Sequence, residues 1–172
     1  MSRLKHFSVL IAVLLLFSLA WQPTHKAAAE AEPMPLANVS AGDLIMAMNT
    51  LRMSNGLPAL IEDPIIDAVA QGTAQIMADQ LLSWHIGDVK GRIAAAGYGG
   101  GGTVWATENF AVGNMGIDQI MQMWSDSEHM RPATIASYCH VGAGVSQAAD
   151  GSTYYILQAA YTSTNACGPY AT

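Results

Sequence analysis

The chain predicts an α+β layered domain. Three observations carry that expectation: apolar residues at helical spacing in its earlier segments, a change to period-two alternation after Pro132, and no regular β-α-β alternation between them. The first helix opens at Ser40-Ala41-Gly42-Asp43, which has the form of a capping box, a hydroxyl at the N-cap and an acid three residues on. Leu44, Met48 and Leu51 then share one face, and Asn55-Gly56 supplies the residues for a left-handed stop. Asp63-Pro64 opens the second helix, with Asp as cap and Pro at the first helical position, where its missing N–H costs nothing. Ile66, Ala70, Ala74, Met77 and Leu81 form its apolar stripe, and His85 falls just past the end of it. A third amphipathic helix carries Ile117, Ile120, Met121 and Trp124 at i, i+3, i+4 and i+7. Val141, Ala143 and Val145, then Tyr155, Leu157, Ala159 and Tyr161, alternate on either side of Asp150-Gly151, which predicts an antiparallel hairpin.

The first residues have the pattern of an export signal. Arg3 and Lys5 precede an apolar run from Val9 to Ala20 broken only by Ser18, and Ala27-Ala28-Ala29 offers the small residues that signal peptidase needs. A membrane-crossing helix needs roughly 20 apolar residues, and here Trp21 is followed by Gln22, Pro23 and Thr24. The expectation is a cleaved signal over residues 1–29, a linker over 30–39 containing Pro33 and Pro35, and one domain over 40–172, with an uncleaved anchor as the alternative. No cysteine follows the apolar run to accept a lipid. Cleavage would leave only Arg52, Lys90, Arg92 and Arg131 as basic residues beside all 13 acidic ones. So negative a domain is a poor partner for nucleic acid or an anionic membrane surface. Nothing in the chain calls for an obligate oligomer, so a monomer is expected, outside the cell or within the cell envelope.

Cys139 and Cys167 are the two cysteines. In an oxidising compartment they form one disulfide, pinning the C-terminal tail at a loop-closure gain of about 3 kcal/mol. In a reducing setting they stay free. The run Gly97-Tyr98-Gly99-Gly100-Gly101-Gly102 satisfies G-x-G-x-x-G, but a phosphate-cradling loop follows a strand and opens a helix. Here Thr103-Val104-Trp105-Ala106 comes next, so the run is read as a mobile surface loop.

Asn49-Thr50-Leu51-Arg52 with Gly56-Leu57-Pro58-Ala59-Leu60, then Glu108 to Gly113 and Trp124 to His129, are short motifs that together resemble the CAP superfamily of cysteine-rich secretory, antigen 5 and pathogenesis-related 1 proteins, in its bacterial single-domain form. The first of them is similar to the family's opening. Glu108 to Gly113 resembles its Glu-Asn-Ile-Ala-x-Gly motif, and Trp124 to His129 its Trp-x-x-Ser-x-x-His motif, with Ser125 or Ser127 as the matching serine. Gly142 and Gly144 suit its Val-Gly-x-Gly segment. The resemblance implies a three-layer α-β-α sandwich with a central antiparallel sheet. It also implies a cleft of two histidines and two acids that in some members binds a divalent metal such as zinc. Carried over by position, these are His85, Glu108 and His129, with Asp88 as the acidic candidate for the fourth place. Trp84 stands before His85 where the family more often has serine.

Two imidazoles and one or two carboxylates suit Zn²⁺ or a similar ion with a position left for water. The expected function is therefore a secreted protein whose cleft binds a divalent cation and recognises an extracellular ligand or partner. A metal-assisted or serine-type peptidase is the first alternative, since a serine near His129 with Glu108 can be drawn as a triad. No nucleophile elbow or oxyanion loop can be assigned, so enzyme ranks below binding module. Lipid or sterol carriage is the second alternative, on the Gly99 to Gly102 loop and Met115-Gly116-Ile117. His140 is read as a hydrogen-bonding core residue, because its neighbour Cys139 would point to the opposite face of a strand.

Overall fold

The computed structural model describes residues 39–164. The expected signal segment, the linker as far as residue 38, and Cys167 lie outside the described residues. Cys139 is buried ahead of the third strand, and its expected pairing with Cys167 is therefore not described. Among the described residues no helix is long and apolar enough to cross a membrane.

Helix α1, Ala41–Ser54, begins on the expected capping box: Ser40 Oγ accepts from the Asp43 N–H, and Asp43 Oδ2 accepts from the Ser40 N–H. Strand β1, Ile61–Glu62, is two residues long. Helix α2, Pro64–Asp79, starts with Asp63 accepting from the N–H groups of Ile65 and Ile66. Helix α3, Val89–Ala95, and strand β2, Val104–Val112, follow. Helix α4, Ile117–Met123, and the single turn α5, Arg131–Thr134, lead to strands β3, His140–Gln147, and β4, Thr153–Thr162.

The sheet order is β1-β3-β4-β2. The three longer strands are antiparallel, and β1 adds a short parallel pairing in which Ile61 faces His140. Helices cover both faces. Leu44, Ile45 and Met48 of α1, with Ile120, Trp124 and Ala133, pack on Val141, Ala143, Tyr155, Leu157 and Ala159. On the other face Ala70, Ala74 and Met77 of α2 meet Tyr154 and Ile156, while Ile93 of α3 meets Ile66, Val104 and Ala160. This is the α-β-α sandwich. Since β4 is central, both of its faces are buried, and the alternation seen in its sequence marks two helix layers where a single covered face would have left one side wet.

Gly142 and Gly144 let α2 lie against the sheet. A Cβ at Gly142 would sit 2.3 Å from the Asp67 nitrogen, and one at Gly144 would sit 2.4 Å from Gln71 Cα. The close approach lets α2 serve the outer edge of β3 beyond β1: Asp67 Oδ1 accepts from the Ala143 N–H, and the Gln71 amide bonds both backbone groups of Val145. An exposed strand edge is otherwise a template for pairing with another chain. Burial, with Glu62 and Asp63 nearby, holds the Asp67 carboxyl above its ordinary range against the lowering effect of that N–H.

The glycine run is anchored. Gly97, Gly99, Gly100 and Gly101 all have positive φ, yet Tyr98 between them is buried and its hydroxyl lies 2.8 Å from His140 Nδ1. Gly99 packs on the Thr162 side chain, and its carbonyl accepts from Thr164 Oγ1. A helix precedes the run and a strand follows it, the reverse of a phosphate loop.

Candidate functional site

Glu108 is the centre of the site. Strand neighbours point to opposite faces, so the Glu-Asn pair of β2 divides its work. Glu108 faces the α2 and α3 layer, while the Asn109 side chain donates to the His129 carbonyl at 2.8 Å and anchors the segment after α4. Glu108 lies directly opposite Gln158 of β4, and its side chain is only 4% exposed. A carboxylate so buried requires donors, and three are present. His85 Nδ1 is 2.9 Å from Oε1, Arg92 Nη2 is 2.6 Å from Oε2, and Gln158 Nε2 is 2.7 Å from Oε2.

His85 belongs to the loop between α2 and α3, and its side chain is 44% exposed. Phe110, two residues beyond Glu108 on the same face, meets the imidazole edge-on at 4.7 Å. A carboxylate only accepts, so the contact with Oε1 puts a proton on Nδ1. Nε2 then has no protein partner among the described residues and is the group His85 can offer to a ligand. Arg92 comes from α3, where its other arm donates to the Gly87 carbonyl. Asp88 caps that helix, with left-handed backbone and Oδ1 accepting from the Gly91 N–H at 3.1 Å. A pocket of about 290 Å³ opens here, lined by His85, Gly87, Asp88, Val89, Ala106, Thr107 and Glu108.

Of the four residues expected to meet in one cleft, the structure thus brings His85 and Glu108 into contact and places Asp88 on the wall of their pocket. His129 is not among the lining residues. Its Nδ1 is 2.5 Å from Asp126 Oδ2, and Asp126 Oδ1 also accepts from the His129 N–H. Chiefly through that N–H, the Asp126 carboxyl is held below its ordinary range. Ser125 and Ser127 make no side-chain hydrogen bond to a histidine among the described residues.

The donor set does not fit a resident metal. Among the described residues no three His, Cys, Asp or Glu side chains come close enough to hold an ion, and the Glu108 oxygens are already engaged by the guanidinium, the amide and the imidazole. Arg92 and Gln158 were not singled out for the site from sequence. Gln158 did leave a signal, a polar residue inside the apolar run from Ile156 to Ala160, and a buried amide implies a partner. Arg92 left none, because an arginine on a short helix is ordinarily solvated.

A second polar centre lies on the opposite side of the sheet. Arg52, 1% exposed, donates to the carbonyls of Pro58, Pro132, Ile135, Ala136 and Tyr138 at 2.6–3.3 Å. Asn49, one turn earlier, exchanges hydrogen bonds with both backbone groups of Leu60. Those two residues of the first motif therefore bind loops.

Residues 45–160 match the profile of the CAP, or cysteine-rich secretory protein, family. The chain belongs to that family. Solved CAP-type structures share the fold at low identity. An outer surface protein from Borrelia burgdorferi aligns with a TM-score of 0.60 and 17% identity, over 69% of this chain and 90% of that one. An extracellular protein containing an SCP domain from Bacillus anthracis gives 0.54 and 21%, over 69% of this chain and 39% of that one. A cysteine-rich secretory protein from Staphylococcus aureus gives 0.56 and 17%, over 77% and 40%. This CAP chain therefore corresponds to well under half of the latter two. No curated protein matches it.

Proposed function

We propose that this CAP domain works outside the cell or in its envelope as a recognition module, and that the pocket over His85 and Glu108 is where it takes a small ligand. The observation that carries the reading is the imidazole–carboxylate pair itself. Glu108 fixes His85 by Nδ1 at 2.9 Å, while the ring stays half-exposed beside a pocket of about 290 Å³. A carboxylate on one ring nitrogen sets the tautomer and orientation of the other, the usual preparation of a histidine for an outside partner. The extracellular character of the Bacillus anthracis protein and the surface character of the Borrelia burgdorferi protein support the location, as does the signal-like first segment.

Nuclear magnetic resonance tests the reading. Probe molecules of each charge type are titrated into isotopically labelled full-length protein, and the His85 ring and Thr107 amide signals are followed. At least one probe should move both signals in the wild type and neither Thr107 nor any other pocket signal in His85→Ala. If no probe moves them, or His85→Ala responds as the wild type does, the pocket is not a recognition site.

A further inference from the structure

Resting on the reading of the pocket as a ligand site, we propose that Arg92 takes the place of a cation on Glu108, so that the site works without a metal and selects a ligand that donates hydrogen bonds. Glu108 is a buried carboxylate, and a buried carboxylate needs a compensating charge. Arg92 supplies it at 2.6 Å on Oε2, with Gln158 on the same oxygen and His85 on the other. A divalent ion approaching Oε2 would meet a fixed guanidinium, and Arg keeps its charge across the accessible pH range. The remaining candidates do not rebuild a coordination set: Asp88 spends Oδ1 on its helix cap, His129 does not line the pocket, and His85 Nε2 alone is one nitrogen where catalytic zinc sites use three protein ligands.

The same bonds define the ligand. With Nδ1 giving its proton to Glu108, a neutral His85 presents Nε2 as an acceptor. Asp88 brings a carboxylate to the same wall. Arg92, the strongest donor nearby, is turned inward onto Glu108 and the Gly87 carbonyl. The walls are therefore rich in acceptors, which favours hydroxyl or ammonium groups and disfavours carboxylate or phosphate. The volume suits a molecule about the size of a monosaccharide, near the lower end of ordinary ligand pockets.

Two measurements on the full chain test this separately from the recognition reading. In calorimetry with ZnCl₂, any zinc affinity of the wild type should be unchanged in Glu108→Gln. Arg92→Met, which uncovers Oε2, should gain at least about tenfold, and Arg92→Met with Glu108→Gln should lose that gain. Arg92→Lys keeps a cation on Glu108 and should behave as the wild type, which preserves the test if Arg92→Met does not fold. Tight wild-type binding that falls tenfold or more in Glu108→Gln would overturn the metal-free assignment. For the ligand class, N-acetylglucosamine and methylammonium distinguish hydroxyl from ammonium, with acetate and phosphate as anions. Movement of the His85 ring signal by either donor and by neither anion is expected, whereas a response to the anions alone overturns the donor assignment. The zinc result stands whatever the probes show, so failure of one reading is not mistaken for failure of the other.

Discussion

Arg52 and Glu108 are both charged residues sealed into the same small domain, one on each side of the sheet, and they are satisfied in different ways. Arg52 gives all its donors to five backbone carbonyls, and burial pushes its guanidinium below the usual range. Its partners are fixed main-chain groups from the loop after α1, from α5 and from the segment between α5 and β3. Glu108 is satisfied by three side chains, one of which, His85, remains half in solvent with its second nitrogen unspent. A buried charge that ends on backbone closes a structure. One that ends on an exposed titratable side chain passes its influence outward, and that difference separates the scaffold from the candidate site.

The largest effect should come from breaking the closed centre. Arg52→Met leaves several carbonyls without donors, and unsatisfied buried groups cost about 1–3 kcal/mol each before relaxation. A net loss of about 3–5 kcal/mol, the range for breaking a buried charge interaction, should appear in urea denaturation. A loss below about 1 kcal/mol would mean that the carbonyls find water and that Arg52 is not the clamp described.

Glu108→Gln comes next. The isosteric amide can keep a contact with His85 but removes the charge facing Arg92, and hydrogen bonds to charged groups contribute about 1.5–3 kcal/mol. A stability loss of about 2 kcal/mol is expected, together with a changed His85 tautomer balance in nitrogen chemical shifts. An unchanged imidazole spectrum would show that Glu108 does not set the ring and would erase the contrast with Arg52.

The smallest effect belongs to the exposed pair Asp126–His129, which sharpens the comparison by showing what a solvated imidazole–carboxylate contact contributes. Asp126 is held below the ordinary carboxylate range, so its ionised form stabilises the fold at neutral pH. That contribution is lost as pH falls through the lowered value. Asp126→Asn should therefore lower Tm slightly at neutral pH, less than Glu108→Gln does, and the difference from wild type should close in acid. A difference that widens on acidification would mean that the ionised Asp126 carboxyl does not stabilise the fold.

Much of the fold is legible in the sequence. The capping box at Ser40, Asp63-Pro64 at the head of α2, the heptad-like spacing from Ile117 to Trp124 and the hairpin around Asp150-Gly151 are local signals. Local hydrogen bonds and apolar periodicity carry them without help from distant residues. Strand β2 was hidden because Thr107, Glu108 and Asn109 interrupt its apolar pattern for the sake of the site. Helix α3 was hidden because seven residues following two left-handed ones carry too little periodicity. The site was half legible: Glu108 and His85 by motif, Asp88 as an acid whose capping role was unseen, and His129 by motif but on another contact.

What the sequence determined alone is the order of α1, α2, α4 and the final hairpin, the layered class and the family, since these depend on patterns read along the chain. Tertiary structure alone decided who meets Glu108. Arg92, His85 and Gln158 come from a short helix, a loop and the central strand, and their convergence depends on the strand register and on α3 packing Ile93 beneath the sheet. The parity of β2 also sends Glu108 and Asn109 to opposite faces. For that reason neighbouring residues of one motif have separate tasks, Glu108 meeting His85, Arg92 and Gln158 while Asn109 holds the His129 carbonyl.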